Sequence, residues 1–364
     1  MKPNSSLPGS APPPRKGQGD VKLSRDEFVR RLGERFYDPL FDSVQGEVDR
    51  IVDAAWRAYD EYHKSPRTRA AGPGFADPTQ ELPVEWLEAH KAILDAQQRH
   101  EQIERPRRIL VVCGAARHDQ TCPGEMSKSF RLATLAREII EAEPGFECDW
   151  LDLSLLTAQY GRQILPCKAC VSTAMPLCHW PCSCYPNHAM GQVNDWMNEI
   201  YPRWVEAHGV LIVTPVYWYQ APSVLKLMID RLVCADGGNP DPTTTHGKDP
   251  ARAKQLELDG WPYPRHLAGR HFSVVVHGDA AGVLNLRRSL TDWLEDMHLV
   301  AADRSLDRYI GYYEPYATSH EALDRDEAVQ EETRNCARSL IAAVRKARTE
   351  PNEVDGRPRD PRPK

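Results

Sequence analysis

The chain is 364 residues long, 41% hydrophobic and 27% charged, with a formal net charge of -6, which is enough to bury a sizeable core. Mild acidity without a sustained Lys/Arg stripe argues against nucleic acid as the main partner, and no apolar run reaches membrane-spanning length. Residues 1–20 carry proline and charge but no apolar signal core, so cytoplasmic residence is expected, where clustered cysteines serve metal binding or catalysis more often than disulfides.

Residues 1–20 and 349–364 read as disordered tails, rich in small and polar residues with few apolar positions. Residues 21–105 read as a helical N-terminal extension. Val48, Ile51, Val52, Ala55, Trp56 and Tyr59 recur at steps of three and four, and after a break at 65–83 a second helix carries Trp86, Leu87, Ile93 and Leu94. This extension presents no ligand constellation and is expected to pack on the main domain or on a second subunit.

Residues 106–348 alternate between strand and helix signals. Ile109, Leu110, Val111, Val112 and Cys113 form a continuous apolar run, as expected of a strand buried on both faces. A helix marked by Leu132, Leu135, Ala136, Ile139 and Ile140 follows. The pattern then predicts strands at 146–153, 209–214 and 271–277, with a fifth between His298 and Tyr309. Helices are predicted around Val193 to Ile200, Leu225 to Leu232 and Leu286 to Met297, and from Val329 to Val344. The fold class is therefore α/β, a doubly wound five-stranded parallel sheet, whose ligands gather outside the carboxyl ends of the strands.

Three segments on that rim carry chemistry. The loop after the first strand offers backbone amides around Ala115, the hydroxyls of Thr121, Ser127 and Ser129, and the cations Arg117 and Lys128, running into a helix N-terminus. That suits a terminal phosphate, although a serine there also serves as a plain helix cap. The fingerprint G-x-G-x-x-G is absent, which speaks against a tightly held dinucleotide. After the third strand, Pro215 and Pro222 bracket Val216, Tyr217, Trp218, Tyr219 and Gln220, whose flat faces could receive a planar ring or could be core aromatics.

Between the second strand and its helix, residues 166–186 hold five of the ten cysteines: Cys167, Cys170, Cys178, Cys182 and Cys184, with His179 among them. The spacing C-x2-C-x7-C-x3-C-x-C suits a thiolate-held centre. An iron-sulfur cluster comes first, structural zinc second, and metal-free thiols or a disulfide remain open. Cys113, Cys148, Cys234 and Cys336 lie in apolar patterns and read as core residues. The connection at 235–267 is long for a compact domain and reads as a lid, a substrate wall, a dimer arm or a plain surface excursion, with His246 and Lys248 as exposed polar residues.

Thr214-Pro215-Val216-Tyr217, followed by Pro222, Leu225, Lys226, Asp230 and Arg231, resembles the flavin-contact segment of the NADPH-dependent FMN reductase family, over roughly 108–310. The segment from Val274 to Gly282 fits the same family, and the cysteine run is similar to its iron-sulfur flavoprotein branch, although Thr173 stands where that branch's third cysteine falls. The first-strand loop is also longer than the family's usual form. The resemblance implies a flavodoxin-like fold, FMN held by the three loops with Gly278, Asp279 and Gly282 lining the flavin, NADPH or NADH as co-substrate, and a small-molecule or protein electron acceptor. It further implies a homo-oligomer, dimer or tetramer. No catalytic side chain is assigned, because the flavin carries the chemistry. The thiol loop follows the second strand and is expected to emerge at the same rim as the phosphate and flavin loops, which would make metal and flavin neighbours. The rival readings are a non-enzymatic electron carrier and a metal-stabilised binding module that has lost FMN.

Overall fold

The computed structural model describes residues 17–61, 67–121, 124–278, 281–302, 311–313 and 320–349. The tails expected at 1–20 and 349–364 fall almost entirely outside these residues, as does 303–310. Three helices open the chain: α1 (Arg25–Gly33), α2 (Gln45–Asp60) and α3 (Val84–Glu101). Ser24 caps α1 by accepting from the Glu27 amide, and Phe28 stacks on Tyr59 at 4.7 Å to join α1 to α2. The extension is not wholly helical. A two-stranded antiparallel pair, Thr68–Ala70 with Glu81–Pro83, fills the break before α3. Ile51 and Leu94, which the spacing places with the buried positions, stand about half exposed at 53% and 50%.

The main domain follows the alternation read from the sequence. Its elements are β1 (Arg107–Cys113), α4 (Lys128–Glu141), β2 (Phe146–Asp152), α5 (Met197–Glu206), β3 (Gly209–Pro215), α6 (Ser223–Leu232), α7 (Pro250–Leu258), β4 (His271–Gly278), α8 (Val283–Asp296), β5 (Val300–Ala301), β6 (Gly311–Tyr313), α9 (His320–Arg325) and α10 (Glu327–Thr349). The parallel sheet runs β2-β1-β3-β4-β5, the flavodoxin-like order, with Ile109 beside Gly209 and Gly209 beside His271. The fifth position is divided: β5 pairs with the start of β4, and β6 pairs with its end, Val276 beside Gly311. The strand expected between His298 and Tyr309 is thus only two residues long before the chain leaves the described region.

Alternation along the strands builds two cores. Ile109, Val111, Leu211, Val213 and Val275 face α4 and α10, while Leu110, Val112, Val210, Ile212, Val274 and Val276 face α5, α6 and α8. Gly209 lets α10 press onto the sheet, since a Cβ there would stand 3.0 Å from Val344 and 3.1 Å from Leu340. The connection at 235–267 is more structured than its composition suggests, because Asp249 caps α7 through the amides of Ala251 and Arg252. Among the described residues no helix is long and apolar enough to cross a membrane.

At the amino end of the sheet, α3 is tied in by buried polar groups. Arg270 donates to the Gln97 side chain and to the Val205 carbonyl, each at 2.9 Å, and the rings of His100 and His208 stack at 4.4 Å. Burial pushes His100 down from 6.5 to about 3, His179 and His277 to about 4, and His90, His208, His266 and His271 in the same direction. A proton therefore binds the unfolded chain before it binds these imidazoles in the folded one. Their contribution to stability is complete above about pH 6.5 and is lost as pH falls toward 4. The urea midpoint should drop between pH 7.5 and pH 5; an unchanged midpoint would show that these rings are not held neutral.

Candidate functional site

Three loops converge at the carboxyl end of the sheet. Gly114 leaves β1 so close to β3 that a Cβ would stand 2.9 Å from Thr214 and from Leu225. Beyond it, Ala115 is buried, and the Thr121 hydroxyl donates to the His118 carbonyl at 2.7 Å while accepting the His118 amide at 3.1 Å. Ser127 is the N-cap of α4, accepting the Phe130 amide at 3.0 Å, so the capping role read from the sequence is present. Ser129, two residues on, is buried, its hydroxyl 2.7 Å from Nε2 of His277 at the end of β4. Lys128 opens α4 close enough for its charge to help keep His277 neutral, after burial.

Arg117 pairs with Glu125 at 3.0 Å, yet its Nε is buried without a partner. A buried guanidinium donor left open, in a loop that leads into a helix N-terminus, suits an anionic group. The same guanidinium lies close enough to Tyr217 for its charge to act on the phenol, which burial holds above its ordinary pKa.

The loop after β3 is a tight reverse turn. Tyr217 and Gln220 exchange backbone hydrogen bonds at 2.9 Å in both directions, and Trp218 and Tyr219 between them take φ values of 47° and 67°. Positive φ at both central positions is the type I′ geometry, which Asn-Gly fills without strain and bulky aromatics do not. Tyr217 is 40% exposed, Tyr219 57% and Trp218 90%, so the aromatic triplet is a surface feature and not part of the core. Val216, just before it, is buried and donates its amide to the His277 carbonyl at 2.9 Å. The β4 loop presses on the turn from the other side. A Cβ on Gly278 would stand 2.7 Å from Val216, and one on Gly282 would stand 2.6 Å from the Tyr219 backbone. Asp279 lies outside the described residues.

The thiol loop is placed elsewhere. Arg231, near the end of α6 and 1% exposed, donates to the Leu165 carbonyl at 2.7 Å just before the loop and pairs with the Asp195 carboxylate nine residues after it. It also reaches the Tyr201 hydroxyl at 3.2 Å and lies 4.9 Å over the Tyr185 ring, while Tyr185 donates to the Pro166 carbonyl at 2.6 Å. Two peptides of the loop, Trp180–Pro181 and Tyr185–Pro186, are cis. Cys170 and Cys184 stand 3.4 Å apart, sulfur to sulfur. The contact with Cys184 lowers Cys170 to about 7, while the bond from Cys184 and burial raise Cys182, and burial raises Cys178. Cys234, at the end of α6, is an electrostatic neighbour of Cys178 and Cys182, a proximity its apolar sequence context hides.

The Tyr217–Gln220 turn therefore sits at the start of α6 and the thiols at its end. Ten residues of helix separate them, about 15 Å at 1.5 Å per residue. The expectation of a single rim carrying all three segments gives way to two sites joined by one helix. The five thiols are chemically suited to a soft metal centre. Among the described residues, however, no three or more His, Cys, Asp or Glu side chains are grouped so as to hold a metal ion.

Residues 107–306 match the NADPH-dependent FMN reductase family. The chain belongs to that family. A curated relative, the iron-sulfur flavoprotein of Methanosarcina thermophila, is 28% identical over 126 residues, covering 35% of this chain. The match takes in 52% of that relative, so the chain spans about half the length of the curated protein it resembles. Among solved structures, RosB with a bound 8-demethyl-8-formylriboflavin-5'-phosphate intermediate aligns with a TM-score of 0.46 at 15% identity, over 67% of this chain and 81% of the other. The flavoenzyme NAD(P)H:(acceptor) oxidoreductase FerB of Paracoccus denitrificans aligns with a TM-score of 0.38 at 14% identity, over 66% and 98%.

Within this family member, two substitutions probe what holds the two ends of α6. Arg231→Ala would strand the buried Asp195 carboxylate and should cost about 3–5 kcal/mol in urea unfolding. Arg231→Lys should recover little, because an ammonium cannot span three acceptors with a planar fork; full recovery would mean that charge alone matters. At the turn, Trp218→Asn with Tyr219→Gly should relieve strain and raise stability by about 1–2 kcal/mol, read as a higher melting temperature. A lower one would show that the rings are held by contacts that outweigh the backbone cost.

Proposed function

We propose that this protein is an FMN-dependent oxidoreductase that accepts electrons from NADPH or NADH and passes them to a small-molecule or protein acceptor. The observation that carries the reading is the convergence of the β1, β3 and β4 loops around His277, within a chain of the FMN reductase family. Bound FMN would supply hydride acceptance from the nicotinamide and release of electrons to the acceptor. The protein's part is binding and orientation.

The amides at the start of α4, with Arg117, Thr121, Ser127 and Lys128, are read as the phosphate end, where a helix N-terminus and two cations favour an anion. Ser129 acts through its bond to His277, which fixes the β4 loop against that helix. Tyr217, Trp218, Tyr219 and Gln220, with Pro215 and Val216 before them, are read as the ring platform, approached from its other side by Gly278 and Gly282; Asp279 is assigned to the flavin from its place in the sequence. Trp218, the most exposed of the three aromatics, is the one left to meet a second planar ring from nicotinamide or acceptor.

Cys167, Cys170, Cys178, Cys182 and Cys184 are read as the ligands of a thiolate-held centre, iron-sulfur before zinc. Support comes from the donor chemistry, the crowding of the thiols, and the name of the curated relative. Self-association as a dimer or tetramer and a cytoplasmic location belong to the same reading.

Anaerobic purification tests these assignments together, through an absorption spectrum, extraction of FMN, analysis of iron, zinc and sulfide, and turnover of NADPH and NADH. FMN retained with nicotinamide oxidation, and metal lost from a Cys167→Ala, Cys170→Ala double variant, are the expected results. Colourless protein that ignores added FMN would overturn the flavin assignment. Bound FMN without nicotinamide turnover would favour the electron carrier, and metal content unaffected by the double variant would refute the ligand set.

A further inference from the structure

The thiol loop is covered by residues that lie before the family's matched span. Trp86, on the first turn of α3 and 2% exposed, donates its indole N–H to the Pro181 carbonyl at 2.8 Å, between Cys178 and Cys182. Its ring is held in turn by His90, stacked at 5.0 Å, and by Phe75 at 6.2 Å. The segment between the two short N-terminal strands closes from a second direction. The Ala76 amide donates to the Asp241 carboxylate at 2.7 Å, and the Asp77 amide to the Thr243 hydroxyl at 3.0 Å.

The excursion so gripped is itself bonded to the thiol loop. Asn239 donates its amide to the Cys178 carbonyl at 2.6 Å and accepts the Trp180 amide at 2.8 Å, and the Thr245 hydroxyl lies 3.2 Å from Nε2 of His179. Residues 75–90 and 239–245 therefore stand as two jaws on the stretch from Cys178 to Pro181, next to Cys182, with Trp86 bridging directly from one of them.

We propose that the N-terminal extension is a clamp for the thiol loop: Trp86 and the Ala76–Asp77 backbone hold Cys178 and Cys182 in place and keep them from solvent. The Pro181 carbonyl is buried beneath the indole, and leaving it without its donor should raise the open population by about tenfold, equivalent to about 1.4 kcal/mol. Trp86 is a positioning residue here, acting through the backbone between the two cysteines.

Alkylation by iodoacetamide, resolved cysteine by cysteine with mass spectrometry, tests the clamp on full-length protein after chelation and reduction, so the outcome depends on neither metal nor flavin. Trp86→Phe and Thr243→Val are each compared with the parent, and Trp56→Phe serves as a control, since Trp56 packs on Phe28 and Tyr59. The expected result is a rise of about tenfold in the rates at Cys178 and Cys182 in Trp86→Phe, a rise in the same direction in Thr243→Val, and no change at the sheet-core residues Cys113 and Cys336 or in the control. Unchanged rates at Cys178 and Cys182 in both variants would overturn the proposal. So would an equal rise at Cys113 and Cys336, which reports general loosening. If Trp86→Phe fails to fold, Thr243→Val decides alone.

Discussion

Arg231 holds a full charge inside the protein, and the surrounding elements are arranged to accept it. Burial works against that charge, while Tyr201, Cys182 and Asp195 hold the guanidinium above its ordinary pKa. Because an uncompensated buried cation costs several kcal/mol, the Leu165 carbonyl and the Asp195 carboxylate cannot both drift away while the core stays closed. These two acceptors flank the thiol loop, Leu165 directly before it and Asp195 nine residues after it, so one side chain on α6 anchors both flanks of a long, irregular segment. The planar fork explains why arginine suits this place: three acceptors and an aromatic face are met at once.

The same helix carries the other half of the site. α6 begins at Pro222, just past the Tyr217–Gln220 turn, and ends beside Cys234 and the thiols. Its buried face, with Leu225, Met228 and Leu232, is packed into the larger of the two main-domain cores, so the helix is a rigid spacer between the two ends. At the Tyr217–Gln220 end the constraint is different in kind. The turn holds Trp218 and Tyr219 in a backbone region that costs energy, and Gly282 approaches so closely that only a missing side chain allows it. Strain of this type persists only where surrounding packing dictates it, and it collects at sites that bind ligands.

The sheet and its helices were legible because burial on both faces leaves continuous apolar runs, as in Ile109 to Cys113, and because amphipathic helices repeat on a period of 3.6. The exceptions have physical reasons. The hairpin at Thr68–Ala70 and Glu81–Pro83 is exposed along its first strand, so no period-two apolar signal marks it. Burial of Trp86 was suggested by helical spacing, but its bond to Pro181 joins segments far apart in the chain, which spacing cannot express.

From the sequence alone followed the α/β alternation, the order of the three rim loops, the motif that carries the family resemblance, and the crowding of five thiols in one loop, because each is written in local spacing. The tertiary structure decided the rest. It bonded Ser129 to His277, drew Trp218 and Tyr219 into a strained turn, brought Cys234 to the thiols, and set those thiols at the far end of α6 from that turn. These outcomes depend on which side chains meet after the helices pack, and above all on where a buried guanidinium finds its acceptors, which no window of neighbouring residues contains.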